Sequence, residues 1–339
     1  MLPVKSVALT RSFCGAHEAK RLEFTSTCPE LSVVIATRNS WQFLPDCLAA
    51  IRTDDSVLQE IVIVDNGSSD GTLSQLRQHH PSVRVVSNTT NEGHCRAINR
   101  GLRMARGKYV LVLDADTVVG PGVTRQLVEF MRKRPDVVIA APKMINGDGT
   151  VQESARTFPR PVNSLFGRQT MLASLFPNNK FTRDYVCRNK ANSVEPFEVD
   201  WVSSACMIFP RLLTERIGFW DEGFNGYWVE ADWCWQAHAA GKIFCVPQAR
   251  VTHFYQNRAG KKKGASRIAD FHYGAHRFYW KHYTRDLFDP RSILAALALA
   301  LRAAPLIAVD FFRRPEGNKT HAGEIMASGS PARRADDYK

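Results

Sequence analysis

Short apolar runs recur along the first half of the chain, each followed by a polar turn and then by apolar positions at helical spacing. Leu31-Ser-Val-Val-Ile-Ala36, Glu60-Ile-Val-Ile-Val-Asp65, Val83-Arg-Val-Val86, Tyr109-Val-Leu-Val-Leu113 and Val137-Val-Ile-Ala-Ala141 read as strands. Phe43, Leu44, Cys47, Leu48 and Ile51 predict a helix ending near Ile51, with Ser40 placed to cap it. Leu73, Leu76 and Arg77 mark a second helix, Asn91 to Gly101 opens and forms a third, and a fourth covers about 121–134. Strand and helix alternate four times, which predicts an α/β fold: a mostly parallel sheet with helices on both faces.

The Tyr109 run has the composition of a strand buried on both faces, and it stops at Asp114-Ala-Asp116. Ligands of open α/β sheets bind at the carboxyl ends of strands. Two carboxylates one residue apart can aim oxygens at one divalent cation. Asp is also a common turn residue, so this pattern leaves a strand-end cap open as well.

Beyond residue 142 the alternation weakens. Residues 143–196 hold Pro159, Pro161, Pro177, Arg156, Arg160, Arg168 and Arg183, with few strand signals, as in a binding loop or lid. Val199 to Phe209 then returns to the sheet, and Phe219 to Phe224 is a loop. Tyr227 to Ala240 begins an aromatic-rich helix closed by Gly241, and Ile243–Val246 and Val251–His253 read as two short strands.

A hydrophobic content of 44% supports a packed core in one large domain or two small ones. The formal net charge is +12, and 17 Lys+Arg against 8 Asp+Glu fall from Arg250 to Lys339. Such a basic segment suits nucleic acid, an anionic membrane surface or a phosphorylated ligand. No nucleic-acid motif is present, and the positive excess lies beside an apolar tail, which disfavours nucleic acid. The absence of Gly-x-Gly-x-x-Gly after the first strand disfavours a dehydrogenase. The eight Cys form no Cys-x-x-Cys pair and read as thiols of a reducing compartment. The first thirty residues lack a continuous apolar core of a signal peptide, so a cytoplasmic location is expected.

Ser292 to Leu301 and Ala303 to Phe312 are apolar, interrupted by Arg302, Pro305 and Asp310 and flanked by Arg291, Arg313 and Arg314. This segment suits a helix lying in a membrane interface, a packing or homodimer helix, or a membrane span. Lys261-Lys-Lys263 could serve lipid phosphates or be a solvated loop, and residues 315–339 read as disordered.

Several pieces in order carry a resemblance: Ile35-Ala-Thr37-Arg38-Asn39, Val64-Asp65-Asn66-Gly67-Ser68-Ser69-Asp70-Gly71-Thr72, Asn91-Glu-Gly93 with Asn99-Arg-Gly101, Asp114-Ala-Asp116, and Phe219-Trp-Asp221-Glu222 with Tyr227-Trp-Val-Glu230-Ala-Asp232-Trp-Cys234. The chain resembles glycosyltransferase family 2, inverting enzymes with the GT-A fold, over roughly 31–285. That leaves an arm at 1–30, a membrane-interface helix at 286–314 and a tail at 315–339. Val199 to Ala205 with Arg267 to Tyr283 looks like the rhamnosyltransferase-like branch, which builds bacterial cell-surface polysaccharide.

The resemblance implies transfer of a sugar from a nucleotide diphosphate, a dTDP- or UDP-sugar such as rhamnose, to a lipid-linked or polysaccharide acceptor. Together with the apolar segment flanked by Arg291, Arg313 and Arg314, this suggests peripheral contact with the inner face of the cell membrane. Asp116 stands where the family's Mg²⁺ or Mn²⁺ ligand stands. Asp114 would touch the metal or the donor ribose, and His253 would complete the shell or be a structural His. Thr37, Arg38, Asn39 and Asn66 fall at the implied nucleotide site. Asp65 resembles the acid that takes an imide N–H of uracil or thymine. Arg96 would reach a phosphate or be a solvated surface Arg. Glu230 resembles the catalytic base, where many relatives carry Asp, and Asp232 is the runner-up. Residues i and i+2 do not share a helix face, so only one of the two can face the acceptor. Both also fit a plain preference for acids at a helix start. Trp201, Trp228 and Trp233 could stack on sugars or belong to the core. With Glu in place of the usual Asp, a nucleotide-sugar-binding protein without turnover is the alternative.

Overall fold

The computed structural model describes residues 28–53, 56–159, 179–190, 192–254, 264–286 and 288–312. Residues 1–27, Arg160, Pro161, Arg168, Pro177, Lys261 to Lys263, Arg313, Arg314 and the tail lie outside the described residues.

The first half is β1 (Leu31–Thr37), α1 (Leu44–Arg52), β2 (Gln59–Asn66), α2 (Thr72–His79), β3 (Arg84–Asn88), α3 (His94–Met104) and β4 (Tyr109–Asp114). These four strands lie parallel in the order β3-β2-β1-β4. The apolar runs are strands because both faces are covered. On β1 and β4, Val33, Ile35, Leu111 and Leu113 join one core cluster, while Val34, Val110 and Val112 join the other. Gly101 lets α3 sit close to the sheet: a Cβ there would fall 2.4 Å from Val34 Cγ1.

Next come β5 (Thr117–Val119), α4 (Val123–Lys133), β6 (Val137–Asn146), β7 (Ala155–Arg156), α5 (Lys180–Tyr185), β8 (Phe197–Glu198), β9 (Trp201–Val202), β10 (Cys206–Pro210), α6 (Leu212–Ile217), α7 (Val229–Ala237) and β11 (Lys242–His253). The sheet continues from β4 through β10, β6, β11 and β5, with β10 antiparallel to both neighbours and β8 pairing β11. The sheet is therefore mostly parallel, as the alternation predicts.

Three local expectations change. Ser40 does not cap α1 with its hydroxyl, which donates to Arg38 O at 3.0 Å; its carbonyl instead accepts from Phe43 and Leu44 N–H. The run from Val199 to Phe209 is two strands, because Ser203 N–H turns to Ser154 O and β9 leaves the main sheet to pair with β7. The two short strands at 243–253 are one, bent at a register shift between Val246 and Arg250. Pro247 lies in that irregularity, where its missing N–H does no harm.

The chain ends in a helical hairpin, α8 (Ala265–Tyr283) and α9 (Pro290–Phe312). Asp310, an interruption in the apolar stretch, accepts from Ala265 N–H at 2.9 Å and so caps the start of α8. His276 Nε2 meets Ser292 Oγ at 3.2 Å at the other end of the pair. Leu294, Leu297 and Leu301 are exposed at 65%, 56% and 77%. Burial lowers the pKa of Arg302, so the charge sits partly against the hairpin rather than in water.

Candidate active site

β4 delivers Asp114 to the carboxyl edge of the sheet, and the turn after it delivers Asp116. The far end of β11 brings His253 beside them through its pairing with β5, where His253 faces Thr117. His253 Nε2 lies 3.2 Å from Asp116 Oδ1 and 3.7 Å from Asp114 Oδ2. One ligand atom from each of the three lies within 4.8 Å of the others. Two hard carboxylate oxygens and one imidazole nitrogen suit Mg²⁺ or Mn²⁺, so the residues fit a divalent cation. Asp116 and His253 are buried and Asp114 is half-buried, leaving one side open. Burial pushes the Cys47 thiol well up, and the Asp116 and Asp114 carboxylates push it further.

At the neighbouring strand ends, Thr37 and Asp65 are register partners on β1 and β2. Asp65 Oδ2 accepts from Ser68 N–H at 3.2 Å. Among the described residues, Asp65 Oδ1 and Thr37 Oγ1 are buried with no hydrogen-bond partner. Buried polar atoms are normally paired, so this pair is a place for a ligand group. Asn39, at φ +51°, ties the two loops together: its N–H donates to Ser68 Oγ and its Oδ1 accepts from Ser69 N–H at 2.8 Å. Arg38 is exposed at the same edge. Gly67 has φ +71°, and a Cβ there would come within 2.6 Å of Thr90 C.

Asn66 is engaged inside this loop. Its amide donates to Asn91 Oδ1 and Gly93 O, and its Oδ1 accepts from Asn88 Nδ2 and Glu92 N–H. Arg96 is exposed and pairs with Glu222 at 3.3 Å. Neither side chain joins the cluster around Asp114.

Glu230, at the start of α7, accepts a 3.0 Å hydrogen bond from Ser204 Oγ. Ser204 precedes Ala205, whose carbonyl accepts from Asp114 N–H at 3.0 Å. The acid is thus linked to the metal candidates through one short turn. Burial raises the Glu230 carboxyl above its ordinary value, and the hydrogen bond from Ser204 with the charges of His94 and Arg156 only partly offsets that. Asp232 lies elsewhere. It is fully buried and takes Lys281 Nζ at 2.7 Å, His282 Nε2 at 2.8 Å and Gln236 Nε2 at 3.0 Å. Trp233 and Trp201 are core residues, with their indole N–H groups on Gly218 O and Thr157 O. Trp228 precedes α7 in the left-handed region at φ +72°, an unusual conformation for a bulky residue.

Three residues were not singled out from the sequence. Gln152 meets His253 Nδ1 at 3.0 Å from a stretch without periodicity. Ser204 was visible only as part of a longer motif. Asn99 brackets Trp220 with two backbone hydrogen bonds and donates to Glu222, fastening α3 to the 219–222 loop.

Comparison with known proteins agrees with this geometry. The family model described as glycosyl transferase family 2 matches residues 32–198. An N-acetylglucosaminyl-diphospho-decaprenol L-rhamnosyltransferase of Mycobacterium tuberculosis is 28% identical over 262 residues, covering 73% of this chain and 83% of its own. A mannosyltransferase of Pyrobaculum calidifontis, solved in complex with GDP-Man and Mn²⁺, has a similar fold: TM-score 0.52, 22% identity, 84% of this chain and 74% of that one. Staphylococcus aureus TarS residues 1–349 give a TM-score of 0.50 at 15% identity, covering 85% and 76%. Residues 32–198 of the chain thus match a glycosyl transferase family 2 domain, and the fold around them is that of GT-A glycosyltransferases.

Proposed function

We propose that the protein is an inverting glycosyltransferase that moves a sugar from a pyrimidine nucleotide diphosphate to a lipid-linked or polysaccharide acceptor of the cell surface. The observation that carries the reading is the convergence of Asp114, Asp116 and His253 at one strand edge, tied through the Ser204 turn to Glu230. Asp114, Asp116 and His253 would hold Mg²⁺ or Mn²⁺, which when bound would neutralise charge on the leaving diphosphate.

The other roles follow from the chain. Asp65 Oδ1 and Thr37 Oγ1 offer a buried acceptor and hydroxyl to a base edge, and a carboxylate there favours the imide N–H of uracil or thymine. Asn39 and Gly67 hold the loops that frame it. Glu230 takes the proton of the attacking acceptor hydroxyl, and its raised pKa makes the carboxylate a better base near neutral pH. Asp232 braces α7 against α8. Among relatives, the mycobacterial rhamnosyltransferase supports rhamnose transfer to a diphospho-lipid acceptor. The exposed leucines of α9 support docking on the membrane that carries such an acceptor, with the chain at its cytoplasmic face.

Screening UDP-, dTDP- and GDP-sugars by thermal shift, with and without Mn²⁺ or Mg²⁺, tests the donor. A metal-dependent shift with UDP or dTDP donors is expected, followed by transfer or slow hydrolysis. No shift with any donor overturns the reading. Stabilisation without turnover points to a binding protein instead.

A further inference from the structure

We infer that Gln152 is a positioning residue that holds His253 with its Nε2 lone pair facing Asp114 and Asp116. The inference rests on the cation site proposed above but concerns a residue outside it.

Asn146, at the end of β6, is the register partner of His253 on β11. The chain turns back on itself after Asn146: Asn146 N–H donates to Thr150 O, Gly149 N–H to Asn146 O, and Gln152 N–H to Met144 O. This hairpin returns Gln152 beside both residues. Gln152 Nε2 donates to Asn146 Oδ1 at 3.1 Å, and Gln152 Oε1 meets His253 Nδ1 at 3.0 Å.

The direction of these bonds is set from the far end. Asp148 Oδ1 accepts from Thr150 Oγ1 at 2.6 Å and from Thr150 N–H at 2.9 Å. An ionised carboxylate accepts only, so the Thr150 proton is committed to it. Thr150 Oγ1 then accepts from Asn146 Nδ2 at 2.9 Å, which turns Asn146 Oδ1 toward Gln152. Gln152 must present its NH₂ to Asn146 and its carbonyl to His253. His253 Nδ1 is therefore the nitrogen that donates to Gln152, and in that tautomer Nε2, the nitrogen nearest Asp116, is the one that would bind a cation. A metal-ligating His is commonly held by an acceptor on its other nitrogen, and losing that acceptor weakens metal binding about 10–100-fold. Here the acceptor is a neutral amide, which orients the ring without adding charge.

The test is Mn²⁺ binding by the full chain, read from free Mn²⁺ by electron paramagnetic resonance, with no sugar donor present. Gln152→Met fills similar space without an acceptor, and about 10–100-fold weaker binding is expected. Gln152→Glu keeps an oxygen toward Nδ1–H and should restore most of the affinity. His253→Ala serves as the reference for loss of the site. If Gln152→Met binds Mn²⁺ like the parent while His253→Ala does not, the positioning role is wrong and the cation site stands. If the Met and Glu variants lose affinity equally, Gln152 acts by shape and the inference fails. If the parent binds no Mn²⁺, or His253→Ala binds it as well as the parent, the cation site itself is wrong and the inference falls with it.

Discussion

Ser204 Oγ lies 3.0 Å from Glu230 Oε1, and this one hydrogen bond connects the proposed base to the turn that also holds Asp114. Ser204 orients the carboxylate and stabilises its charged form, against a burial that disfavours it.

Replacing Glu230 by Gln should lower transfer by about 10²–10⁴-fold, the usual contribution of a general base, while donor binding persists. In the parent, activity should fall as pH drops through the raised Glu230 value, because protonation removes the base. Ser204→Ala deletes an interaction that favours the carboxylate, so the acid limb should move to higher pH. A limb that stays in place in Ser204→Ala would remove Ser204 from this role.

The same burial has a stability sign. A carboxyl whose folded pKa is raised binds more protons in the native state than in the unfolded chain. Its contribution to stability is therefore largest at low pH and declines as pH rises from the ordinary Glu value through the raised one. Glu230→Gln should consequently melt higher than the parent at neutral pH, with the gap closing in acid. Calorimetry at two pH values reads this directly.

Asp232 should behave in the opposite way. Asp232 has no exposure and holds Lys281, His282 and Gln236 on its oxygens, so its removal takes this acceptor from all three. Asp232→Ala should cost about 3–5 kcal/mol in urea unfolding, as for breaking a buried ion pair. Lys281 keeps Asp221 at 2.8 Å, which limits the loss. A variant as stable as the parent but inactive would instead make Asp232 the base.

Asp65→Asn should weaken pyrimidine nucleotide binding by roughly 10–100-fold, the value of a hydrogen bond to a charged group. Ser68 N–H will keep the amide oxygen on its own side, so the NH₂ replaces Oδ1 and faces the imide N–H. Isothermal titration with UDP and Mn²⁺ measures it. Unchanged affinity would show that the orphaned acceptor is not the base site.

Leu297→Glu with Leu301→Glu should release the protein from anionic vesicles in a sedimentation assay. Each exposed leucine would otherwise bury into lipid for about 1.5–3 kcal/mol. Retained binding would assign α9 to packing or dimer contact.

The strands and the four helices after them were legible in the chain because each repeats a local period of apolar positions. The Asp114-Ala-Asp116 turn was legible because an apolar strand must end where its polar residues begin. Residues with no period were not legible: Gln152 reaches His253 only because a hairpin folds back over β11, 101 positions away in sequence. The distinction between Glu230 and Asp232 followed the same rule. Helical spacing already separated their directions, yet only the packing of α8 put Lys281 and His282 on one and left the other beside Ser204. Asn66 lies in a family motif and Arg96 between two, but long-range partners set their use: the 88–93 loop engages Asn66, and Glu222 pairs with Arg96.

What the sequence alone determined was therefore the alternation, the buried strands and the acids at their ends, all consequences of local periodicity and of polarity at strand termini. What the tertiary structure decided was which acids share a space, which side chain meets His253 Nδ1 and which carboxylate Lys281 and His282 engage. Those depend on side chains brought together by strand crossovers and helix packing, contacts that no local window of sequence contains.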